Sequence, residues 1–136
     1  RLRWKPLIQN TDYILTMHIT YNIFLVLHFI GLAGLLGGLL SQMSAKPKKI
    51  APFVLHSAWL MIIAGVAMVG INQAMHANDS TVVLVNQVTV SIKSLVIGAI
   101  LTIGYTNIKK SELSTKAWGL MSGLAVLNIV LAVFGI

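Results

Sequence analysis

Hydrophobic residues fall into four long runs, Tyr21–Leu40, Pro52–Ala74, Val82–Thr106 and Ala117–Ile136, separated by short polar links. Each run approaches the ~20 residues that a helix needs to cross a hydrocarbon core of about 30 Å. With their semi-polar ends included, the predicted spans cover about 16–42, 52–75, 82–107 and 116–136. The runs are apolar on nearly every side, whereas a soluble bundle keeps a polar outer face on each helix. The valine-rich stretch Thr81 to Val90 reads as strand by composition. In lipid every backbone polar group must be paired within its own segment, so helix is the expectation there too. Thr11 or Asp12 is a candidate cap for the first helix, and Pro52 suits a first helical position, where its missing N–H has no partner to lose. The links Ser41–Ala51, Met75–Thr81 and Asn107–Lys116 are short, which favours antiparallel neighbours. The predicted fold class is an all-α membrane protein, four transmembrane helices in an up-down-up-down bundle, with residues 1–136 as one domain.

Composition narrows the function classes. Of 136 residues, 57% are hydrophobic and 10% charged, against about 25% charged in soluble domains. Mean hydropathy is +0.85. The chain has no cysteine, which removes thiol catalysis, disulfides, iron–sulfur ligation and covalent haem attachment through its own residues. The first twelve residues are polar and do not read as a signal peptide.

Net charge is +7, but the cations sit between apolar runs rather than on a soluble basic face. Anionic lipid at Lys46, Lys48, Lys49, Lys109 and Lys110 is therefore the expected partner, and nucleic acid is not. The first link carries Lys46, Lys48 and Lys49, and the third Lys109, Lys110 and Lys116, whereas the middle link carries no Lys or Arg. The positive-inside bias puts the first and third links in the cytoplasm and both termini outside, with Arg1, Arg3 and Lys5 opposing that orientation. Tyr105 and Trp118 then mark the inner interface and Tyr13 the outer one.

Candidate chemistry is sparse. Gly31, Gly34, Gly37 and Gly38 in the first span, and Gly119 and Gly123 in the fourth, have the small-xxx-small spacing that lets helices approach closely, inside the bundle or against another protein. His28 and His56 invite a haem reading. With span centres near Ile30 and Ile63, however, they are offset by roughly 13 Å along the membrane normal, so a shared haem is not expected. His28 reads as a buried, hydrogen-bonded histidine. His18 and His76, each after a methionine (Met17, Met75), form a faint copper-type pattern. Lys93 stands well inside the third run, where a charge costs roughly 3 kcal/mol. With no Asp or Glu in the predicted spans, it is expected to snorkel outward or to meet a lipid phosphate or partner carboxylate. No nucleophile–base pair, HExxH, P-loop or dinucleotide fingerprint is present, and catalytic, cofactor-binding and metal residues are expected to be none.

The segment His28-Phe29-Ile30-Gly31-Leu32-Ala33-Gly34-Leu35-Leu36-Gly37-Gly38, continuing to Gln42-Met43-Ser44, together with Asn86 to Lys93 and Asn128 to Val133, resembles small four-helix membrane proteins of actinobacteria. Similar proteins occur as accessory subunits of the cytochrome bc–cytochrome oxidase respiratory supercomplex. The resemblance spans nearly the whole chain and implies a cofactor-free, non-catalytic packing subunit in a bacterial plasma membrane. The competing expectation is a small haem-binding redox protein of the protoporphyrinogen-oxidase type, faintly echoed by His28 and Lys93 at one level. A small transporter component would need a polar cavity, for which only Asn72, Asn86, Asn107 and Asn128 speak.

Overall fold

The computed structural model describes the backbone of residues 4–134 and side chains from Thr11 to Phe134. The charges of Arg1, Arg3 and Lys5, and the last two positions of the fourth run, lie outside the described backbone or side chains. The described chain is all-helical: α1 (Trp4–Leu40), α2 (Pro52–Asn78), α3 (Gln87–Asn107) and α4 (Thr115–Phe134). All four helices are long and apolar enough to cross a membrane.

Two helix boundaries differ from the sequence expectation. α1 starts at Trp4, not near Tyr13, and its 37 residues extend about 55 Å. Pro6 falls in the first turn, where a missing N–H removes no intrahelical bond. The longer helix takes in Asp12, but about 24 Å along the axis from His28. α3 starts at Gln87 rather than Val82. Asn86 stops the helix there by accepting hydrogen bonds from Val88 N at 2.9 Å and Thr89 N at 3.3 Å. The preceding Val82–Val85 stretch is an extended strap whose polar groups are satisfied from α2. Asn72 Nδ2 donates to Val83 O and Val85 N donates to Asn72 Oδ1, both at 2.9 Å. His76 Nδ1 donates to Val82 O at 2.7 Å. One side chain thus mimics a strand neighbour, which lets a non-helical segment lie against the bundle without orphaned amides.

α1 packs closely along α2, and α3 pairs with α4, while the two pairs meet more sparsely. The α1–α2 seam is built from absent side chains. A Cβ at Gly31 would stand 2.6 Å from Met61 N and 2.7 Å from Ser57 O. At Gly34 it would overlap Ser57 Oγ, and at Gly38 it would stand 2.5 Å from Val54 Cγ2. Numbers rise along α1 where they fall along α2. Gly104 of α3 likewise receives Leu55, whose Cδ2 would lie 2.5 Å from an added Cβ.

The buried core, with Leu35, Leu39, Leu55, Ala58, Ile100 and Met121 among its members, fills the end of the bundle that carries the lysine-bearing links. Those two links meet: Leu113 N donates to Lys48 O at 2.6 Å. Lys48 is only 5% exposed. Its Nζ donates to Ala45 O at 2.9 Å and Met43 O at 3.3 Å, and lies 5.0 Å from the centre of the Trp118 ring. Trp118 Nε1 in turn donates to Leu39 O, and Trp59 Nε1 to Tyr105 Oη, both at 2.7 Å. Hydroxyls on the exposed face of α3 turn back on their own helix: Ser91, Ser94, Thr102 and Thr106 each donate to a carbonyl four residues earlier, so they need no outside partner.

Candidate functional site

Away from the lysine end, the helix pairs part and leave two connected voids, ≈ 390 Å³ and ≈ 630 Å³. The smaller runs between α2 and α3 along Ile62, Val66, Ile97, Gly98 and Leu101. The larger rises between α1 and α4 to Tyr21 and the strap. They share Met61, Gly65, Val69, Val90, His28, Lys93 and Asn128, so three polar side chains stand where two apolar grooves join. Both volumes fall in the range of about 300–1,000 Å³ typical of small-molecule sites.

His28 is positioned by α2. Its Nδ1 lies 2.8 Å from Met61 O. A carbonyl can only accept, so Nδ1 carries the proton and Nε2 of the neutral ring is an acceptor. Room for the ring comes from Gly65, where an added Cβ would lie 3.3 Å from His28 Nδ1 and Cε1. His28 therefore stands level with Met61 to Gly65. His56 is exposed on α2, more than a turn away from that level.

Lys93 is half-buried on α3. No Asp or Glu occurs in α2, α3 or α4. Asn128 is 5% exposed; its Nδ2 reaches Lys93 O at 3.5 Å, and its Oδ1 is buried with no hydrogen-bond partner among the described residues.

The remaining candidates scatter. His18 is exposed on α1, His76 is engaged with the strap, and Met75 is buried while Met17 is half-buried. Among the described residues no group of three or more His, Asp or Glu converges on one point. Gly37, Gly119 and Gly123 face open space, with nothing within 4 Å of an added Cβ. Lys46, Lys49, Lys109, Lys110 and Lys116 are exposed, whereas Lys48 is turned inward, because its ammonium satisfies loop carbonyls. Sequence reasoning missed Gly65, whose only trace is an isolated glycine inside a helical run, the kind of position that signals a close approach. It also missed the cleft itself, which depends on how far the two helix pairs separate.

Comparison of the chain with protein families, with curated proteins and with solved structures finds no match in any of the three.

Proposed function

We propose that this chain is a multi-pass protein of a bacterial plasma membrane, folded as an up-down-up-down bundle, that serves as a non-catalytic accessory subunit of a larger membrane complex. The assembly it resembles in sequence is the cytochrome bc–cytochrome oxidase respiratory supercomplex. The observation that carries the reading is the contrast between its glycine seams. Gly31, Gly34 and Gly38 are consumed inside the α1–α2 contact, while Gly119 and Gly123 leave a bare strip on α4 with nothing within 4 Å of an added Cβ. In lipid, such a strip favours close approach of another helix. Antiparallel pairing of α1 with α2, and the meeting of the two lysine-bearing links at one end, support the bundle topology. The exposed Lys46, Lys49, Lys109, Lys110 and Lys116 suit anionic head groups on the cytoplasmic side, and Lys48 acts within the loop.

The test is tagged purification in mild detergent, with mass spectrometry of what co-purifies. A Gly119→Leu/Gly123→Leu double variant is expected to keep the isolated protein's melting temperature, because both sites are open, and to lose its partner subunits. Undiminished co-purification of the variant, or turnover of a substrate by the isolated protein, would defeat the reading.

A further inference from the structure

Lys93, Asn128 and His28 make an unusual combination in apolar walls: one cation and two free hydrogen-bond acceptors. The ammonium of Lys93 offers three donors and a charge, and α2, α3 and α4 contain no carboxylate to answer it. Asn128 Oδ1, on a side chain more than nine-tenths buried, lacks a donor among the described residues. His28 Nε2 is left as an acceptor once Nδ1 is committed to Met61 O. A buried acceptor without a donor is unfavourable, and so is a charge without a counter-ion. Asn128 Oδ1 is enclosed by protein, so the complementary ligand brings an anionic oxygen for Lys93 and hydrocarbon for the grooves. Free inorganic phosphate leaves the grooves unfilled. A choline head brings a second cation.

We propose that the cleft binds one anionic phospholipid, of the phosphatidylglycerol type, its phosphate on Lys93 and an acyl chain along Ile62, Val66 and Leu101. Lys93 lies about 9 Å along α3 from its first residue. The larger void continues from Lys93 to Tyr21 and the strap, which gives the head a route from that end of the bundle. This site is separate from the open glycine strip of α4, so it stands or falls independently of partner docking.

The experiment is a lipid titration of the purified full chain in detergent, read by native mass spectrometry. The probes are phosphatidylglycerol, phosphatidylmethanol (equal charge, no hydroxyl), phosphatidylcholine and inorganic phosphate. Wild type is expected to retain one phosphatidylglycerol, and equally one phosphatidylmethanol, about tenfold more tightly than phosphatidylcholine, the size of one charge-assisted contact. Lys93→Met should abolish the preference over phosphatidylcholine and Lys93→Arg should keep it. Circular dichroism checks each variant's folding, and Lys93→Arg keeps the charge test decisive if Lys93→Met fails to fold. Equal binding of phosphatidylglycerol and phosphatidylcholine by wild type, wild-type binding by Lys93→Met, or displacement of the lipid by millimolar phosphate alone would overturn the proposal.

Discussion

Gly31 offers the sharpest test of how this bundle is held together. Substituting Gly31→Ala adds one methyl group at a point where Met61 N, Ser57 O and Met61 Cα would lie 2.6, 2.7 and 2.9 Å away. All three are backbone atoms, so no rotamer change relieves the overlap. Carbon contacts are comfortable near 3.5–4.0 Å, so α1 and α2 must part locally by about 1 Å. That opens the seam around Ala58 and Leu35, both fully buried. Overpacking of this kind costs about 1–3 kcal/mol. Gly37→Ala, in the same helix, meets nothing within 4 Å. It is expected to be neutral or to gain about 0.5–1 kcal/mol from the better helix propensity of alanine. The two single-methyl variants should therefore differ by about 1–4 kcal/mol, with Gly31→Ala the less stable. The assay is unfolding in mixed micelles followed by circular dichroism. If Gly31→Ala unfolds together with Gly37→Ala, the close α1–α2 approach is not what stabilises this pair.

Asn72→Leu removes two of the three hydrogen bonds that hold the strap to α2, leaving Val83 O and Val85 N unsatisfied. A loss of about 1–3 kcal/mol and faster amide exchange confined to residues 82–86 are expected, and unchanged exchange there would refute the role given to Asn72. The carboxylate of Asp79 is held below its ordinary pKa by hydrogen bonds from the Thr81 hydroxyl and amide. Its contribution to loop order is therefore present above the unfolded value of about 3.9 and lost as pH falls below it, and Thr81→Val should raise the Asp79 pKa measured by NMR. Cysteines introduced at Ser44 and Ser111 should resist an impermeant thiol reagent in intact cells while one at Asn78 reacts; the reverse pattern would invert the proposed orientation.

Hydropathy alone determined that there are four helices and roughly where they run, because spans of this length in lipid admit few alternatives to a hydrogen-bonded helix. Glycine spacing singled out Gly31, Gly34, Gly37, Gly38, Gly119 and Gly123 alike as close-approach positions, and residue type and depth singled out Lys93 as a misplaced charge and His28 as a hydrogen-bonded histidine. Where α3 begins was not legible. Val82–Val85 is as apolar as a helix, and Asn72 and His76, six residues or more upstream, supply the bonds that hold it against α2. Which glycines face a neighbour was equally hidden: Gly34 and Gly37 are three residues apart in one motif, yet one meets Ser57 and the other open space. That difference is set by the rotation of α1 about its axis, a tertiary quantity. The setting of Lys48 belongs in part to the same class: Met43 and Ala45 carbonyls close by hold its ammonium, but the Trp118 ring beneath it arrives from seventy residues away. So does the cleft that joins His28, Lys93 and Asn128. Each residue's depth follows from its place in its own helix, but their meeting follows from the spacing between helix pairs, which no single run of sequence encodes.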